Sequence, residues 1–112
     1  MNEYTPDRWI VIEIESTTDL VRKVLAGWSG GYLDADHWRI SSGITKVVEC
    51  DDYYLVHNES GSVYTCFKNS EGVTNLSGSV LHKWSNQADD RDDISIKTID
   101  IKDLIINNNN TV

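Results

Sequence analysis

The sequence predicts a mainly β domain, a small barrel or sandwich that carries one short helix and a late strand. Three observations lead there. Several short runs alternate apolar and polar residues with a period of two, the mark of half-buried strands. Clusters of glycine, asparagine, serine and aspartate punctuate those runs at short intervals, as turns do. The segment around residues 76–86 changes to helical spacing. Short strands at such regular turns argue against βαβ units. Barrel closure would also remove the sheet edges that otherwise invite aggregation.

Residues 1–7 are polar, hold the only proline, Pro6, and read as a lead-in. Trp9–Glu15 alternates cleanly, with Ile10, Ile12 and Ile14 on one side and Trp9, Val11, Glu13 and Glu15 on the other. Ser16–Asp19 is a polar turn. Leu20–Trp28 places Arg22, Val24, Ala26 and Trp28 on one face. Leu20, Val24 and Leu25 also fit a helix capped by Asp19, but the run follows a strand and ends in Gly27-Trp28, which favours a strand. Ser29-Gly30-Gly31 permits a tight turn, and Tyr32–His37 follows as a loop. Trp38–Ser41, Ile44–Cys50 and Tyr53–His57 are three further strand segments, separated by Gly43 and by Asp51-Asp52. Asn58–Gly61 is a hairpin signal, and its return strand is Ser62–Lys68, with Tyr64 and Cys66 sharing a face. After a second turn, Leu76, Val80, Leu81 and Trp84 fit one face of a helix capped by Asn75 or Ser77. Residues 87–93 form an acidic loop, Ile94–Ile99 is the late strand, and Asp100–Ile106 fits either a strand extension or one helical turn. The expected domain is 1–106, followed by a disordered asparagine-rich tail at 107–112.

Composition bounds the function. The chain has 112 residues, one domain's worth, and a net charge of −8. Such an acidic balance argues against coating nucleic acid by bulk electrostatics. The charge is uneven, however: Asp89, Asp90, Asp92 and Asp93 cluster late, while Arg22, Lys23, Arg39 and Lys46 flank the middle. No apolar run approaches the roughly 18 residues of a membrane span, and the N-terminus lacks a signal-peptide pattern, so no membrane partner and a cytoplasmic location are expected. Cys50 and Cys66, the two cysteines, read as small residues on strands.

Catalytic chemistry finds little to stand on. Asp34, Asp36 and His37 lie close together, but no second ligand pair matches them, and aspartates in such a loop stabilise turns. No serine sits in a Gly-x-Ser-x-Gly elbow. Trp28-Ser29-Gly30-Gly31 lacks the lysine of a phosphate loop. The acidic run does not follow the ligand pattern of a Ca²⁺ loop. No catalytic residue, metal or cofactor is expected.

A binding role has more residues behind it. Gly27–Gly43 holds four of the seven glycines and two of the four tryptophans. Within and beside it, Lys23, Trp28, Tyr32, His37, Trp38 and Arg39 supply flat rings and cations, the groups that stack bases and bridge phosphates. The alternative is that Trp28 and Trp38 anchor the core while Arg39 covers them with its stem.

The stretch Lys23–Lys68 carries a resemblance, through Ala26-Gly27-Trp28, Trp38-Arg39-Ile40-Ser41-Ser42-Gly43-Ile44, Asp52-Tyr53-Tyr54 and Ser60-Gly61-Ser62-Val63-Tyr64. It resembles an Sm/LSm-like family of short proteins from marine metagenomes thought to come from cyanophages. The resemblance implies a strongly bent Sm-like (SH3-like) five-stranded β-barrel that joins edge to edge into a homo-oligomeric ring and binds nucleic acid, RNA ahead of single-stranded DNA. A phage origin would place it in the host cytoplasm. The Asp-x-aromatic-Met-Asn loop and the Arg-Gly pair of Sm proteins are absent, so no uridine-contacting residue carries over. The other expectation, set by the net charge, is an acidic interaction module that binds a host protein.

Overall fold

The computed structural model describes residues 2–30 and 36–109, with side chains up to Ile105 at the C-terminal end. Its strands are β1 (Glu3–Tyr4), β2 (Arg8–Ser16), β3 (Leu20–Trp28), β4 (His37–Ile40), β5 (Ile44–Glu49), β6 (Tyr53–Asn58), β7 (Val63–Phe67) and β8 (Ile94–Ile99). Helix α1 covers Asn75–Asp89 and α2 covers Ile101–Asn109, and a 3₁₀ turn at Lys68–Ser70 follows β7. The strands form two four-stranded sheets, ordered β1-β7-β6-β5 and β4-β3-β2-β8. The fold is thus mainly β, as the alternation predicts, with its strands divided between two ladders.

The two sheets face each other across one core. Trp9, Val11, Val24 and Ala26 come from one, Val47, Tyr54, Val56, Tyr64 and Cys66 from the other, and Ile101 and Leu104 of α2 join them. Trp9 is fully buried, and its indole N–H donates to the Phe67 carbonyl at 2.8 Å. Burying a large apolar side chain in this way contributes about 1.5–3 kcal/mol. The central strand β2 is buried on both faces, because α1 lies across the outer side of its sheet, where Ile12 and Leu25 are enclosed. A strand between two layers need not show a solvated face.

Several connections join the sheets, two of them through the backbone. β4 pairs with β3 and β5 with β6, yet β4 and β5 are one run of chain bent at Ser41–Gly43. The Ser41 hydroxyl accepts the Val24 N–H at 2.9 Å and donates to the Ser42 carbonyl at 2.7 Å, so a buried side chain pins the corner. A strand that bends from one sheet into the next is how sandwich corners are built. Opposite, Glu71 bridges to Trp9, and the Gly72 N–H donates to the Trp9 carbonyl at 2.8 Å.

The cap of α1 is Thr74, not Asn75 or Ser77. Thr74 Oγ1 accepts the Ser77 N–H at 3.0 Å and Ser77 Oγ accepts the Thr74 N–H at 2.9 Å, a reciprocal capping box. Ser77 is its third-position partner. The helix also runs through Gln87–Asp89, which sequence places in the acidic loop. At the start of the chain, the polar lead-in contains β1, which pairs in parallel with β7 through Glu3–Val63 and Tyr4–Tyr64. Between β8 and residue 109 the helical alternative prevails, with Ile101, Leu104 and Ile105 at helical spacing against the core.

Candidate binding site

Strand alternation sorts the six candidate residues. Trp28 pairs with His37 and Ala26 with Arg39 across β3 and β4, so Trp28, His37 and Arg39 share the face turned toward the other sheet. Trp38 pairs with Gly27 and Lys23 with Ile12, which puts both on the face covered by α1. The expected single cluster is therefore split. Trp38 is 38% exposed and meets the Trp84 ring of α1 edge-on at 5.3 Å. Lys23 is half-buried on the same face. Tyr32 and Asp34 lie outside the described residues.

The three residues on the inter-sheet face join a column of rings that also holds Tyr4 and Tyr64. His37 stacks on Trp28 with centroids 4.7 Å apart and planes 7° from parallel. Trp28 meets Tyr4 edge-on at 6.4 Å, and its indole N–H donates to the Thr5 carbonyl at 3.0 Å. Tyr4 lies 4.9 Å from Tyr64, and the Arg39 guanidinium sits 4.5 Å above the Tyr4 ring. That contact is a cation–π interaction worth about 0.5–1 kcal/mol at an exposed site. Burial pushes the Tyr64 phenol up, and the Arg39 charge draws it partly back. Tyr4 is the residue that sequence reading missed. A two-residue strand has no period to detect, although a tyrosine three residues from the N-terminus of a polar segment is itself a signal.

The column closes the inter-sheet core at the β4 end and leaves His37 and Arg39 exposed. Beside it, the Gly30 N–H donates to Asp36 Oδ1 at 2.8 Å and the Ser29 N–H to Asp7 Oδ2 at 3.0 Å, so the Asp36 carboxylate accepts from backbone, as aspartates at turns do. Among the described residues no group of three or more His, Cys, Asp or Glu side chains is placed to hold a metal ion, and no helix is long and apolar enough to cross a membrane.

Glu13, on the inter-sheet face of β2, lies 3.8 Å from Arg22 and 3.9 Å from Lys97, its cross-strand neighbours on β3 and β8. Cys66 is buried and its thiol is pushed up to about 12, so it stays protonated and unreactive at neutral pH. Cys50 is half-buried just after β5. Neither family models, nor curated proteins, nor solved structures match this chain.

Proposed function

We propose that the protein is a non-enzymatic binding module of Sm-like type that takes a single strand of nucleic acid, RNA ahead of DNA, at the β4 edge. The observation that carries this reading is the His37–Trp28 stack with Arg39 two residues along on the same face of β4, the His37 and Arg39 side chains both being exposed. A base laid on the exposed His37 ring would extend a stack already built, at about 1–3 kcal/mol per base. Arg39, held over Tyr4, offers the remaining donors of its guanidinium to phosphate. The bent chain at Ser41–Gly43 and the Trp9–Gly72 seam support a barrel-like closure of the two sheets. Ring assembly belongs to the same reading. β1 covers β7 only at Val63 and Tyr64, so the rest of that edge, with β5 at the other side of its sheet, is the kind of rim through which copies join.

The test is the paired variant His37→Ala/Arg39→Ala, assayed by fluorescence anisotropy of a labelled single-stranded RNA at low salt. Both side chains are exposed, so folding should be kept, as judged by circular dichroism. RNA binding should fall at least to about a tenth, while Trp38→Ala, which faces α1, should leave it in place. Binding unchanged by the paired variant removes the β4 site.

A second reading, an acidic module that binds a basic protein partner, is favoured by the net charge of −8 and by a carboxylate-lined cleft at the start of β8.

A further inference from the structure

Among the described residues, β8 is the outer strand of its sheet and pairs only with β2. Its free side can be worked out from the register. The Ser16 N–H donates to the Asp19 carbonyl at the β2–β3 turn, so even-numbered residues of β2 bond toward β3 and odd-numbered ones toward β8. Glu13 pairs with Lys97 and Glu15 with Ser95, which turns the backbone N–H and C=O groups of Ile94, Ile96 and Thr98 away from the sheet. Among the described residues, none of these groups bonds to backbone outside the β2 ladder.

A hollow lies on each face of this edge, and both are lined by Ile94. On the α1 side, a cavity of about 130 Å³ is lined by Trp84, Ala88, Ile94 and Ile96, with Gln87 and Arg91 at its rim. On the opposite side, a cleft of about 240 Å³ is lined by Glu15, Asp92, Asp93 and Ser95. Arg91 already neutralises Asp93, through two bonds of 3.0 and 2.9 Å. Among the described residues, Glu15 and Asp92 make no ion pair. Lys97, the lysine on the strand, lies 3.9 Å from Glu13 on the ladder side.

We propose that the β8 edge is a docking site for an extended peptide segment of a partner protein, added as a further strand, with an apolar side chain in the Trp84–Ile96 hollow and a lysine or arginine in the Glu15–Asp92 cleft. Strand addition supplies affinity through main-chain bonds and reads alternate side chains in pockets on either face. One apolar and one acidic pocket flanking a single edge residue select a segment that alternates apolar and basic residues. A second copy is disfavoured, because each chain carries −8 and would bring like charge to the cleft. This inference rests on the acidic-module reading and is independent of the β4 column.

The test uses the full chain and a fluorescein-labelled peptide of alternating valine and lysine, with a peptide of alternating valine and glutamate as control. The valine–lysine peptide should bind and should slow amide exchange at Ile94, Ile96 and Thr98. Thr98→Pro removes an outward N–H without touching the ladder, and Glu15→Lys/Asp92→Lys reverses the cleft charge. Each should weaken binding about tenfold. Binding that survives both variants overturns the β8 site but leaves an acidic module that binds elsewhere. No binding of the basic peptide overturns the site and the module together. Self-association abolished by Thr98→Pro overturns the partner assignment in favour of a second copy.

Discussion

A Cβ placed on Gly27 would lie 2.8 Å from the Oγ1 of Thr74 and 2.9 Å from the Oγ of Ser77. The glycine in β3 is therefore what lets the capping box of α1 rest directly on the sheet. Gly27→Ala forces that buried hydroxyl pair to move. It should cost about 1–3 kcal/mol, the usual penalty of overpacking, read as a lower urea midpoint with an unchanged slope. A midpoint equal to that of the natural chain would show that α1 does not seat there.

Ser41→Ala removes the acceptor of the Val24 N–H at a buried corner. A buried donor left without a partner costs about 1–3 kcal/mol. The loss should appear in thermal unfolding, with faster amide exchange at Val24 as its local sign. Exchange at Val24 that does not change would mean the hydroxyl is dispensable.

Glu13 should matter more than its long ion pairs imply. Its carboxylate is enclosed between Arg22 and Lys97, and among the described residues the buried Arg22 Nε has no hydrogen-bond partner. Glu13→Ala leaves the guanidinium facing an apolar gap. Because Arg22 and Lys97 retain solvent contact, the expected cost is about 1–2 kcal/mol, below that of breaking a fully buried pair. Glu13→Gln, which keeps the volume, should recover part of it in the same denaturation assay.

Alkaline pH should weaken the fold through Cys66. Burial raises its thiol from 9.0 to about 12. Between those values the folded chain keeps a proton that the unfolded chain gives up. The stability from this group is thus full below about 9 and is lost as pH rises toward about 12. Cys66→Ala should flatten that decline, and Tyr64, Tyr53 and Lys68, also raised, contribute to what remains. An equally steep decline in Cys66→Ala would assign the effect elsewhere. In the native chain, thiol reagents should modify Cys50 first and reach Cys66 only as fast as the molecule unfolds.

Much of this fold was legible because period-two patterns report a face directly. β2, β3 and β8 stand within a residue or two of where alternation puts them, and the choice of strand over helix for Leu20–Trp28 rested on local context that the sheet keeps. The helix cap falls at Thr74, one residue before Asn75 and three before Ser77, because all three are good caps and the contact with Gly27 favours Thr74. The candidate site was half legible. Grouping Trp38 with Arg39 overlooked the alternation used everywhere else, since neighbours on one strand point to opposite faces. Tyr4 joins Trp28 and Arg39 through a parallel pairing that spans most of the chain, and no local pattern encodes such a partner.

The bend at Ser41–Gly43 makes a single length of backbone a member of both ladders. Neither layer can come apart without dragging its neighbour, so heat or denaturant should melt the molecule in one step seen alike by tryptophan fluorescence and by far-ultraviolet dichroism. A cut through that bend would remove this tie while the shared core and the Trp9–Gly72 seam still join the layers, so the transition should shift down and broaden without splitting in two.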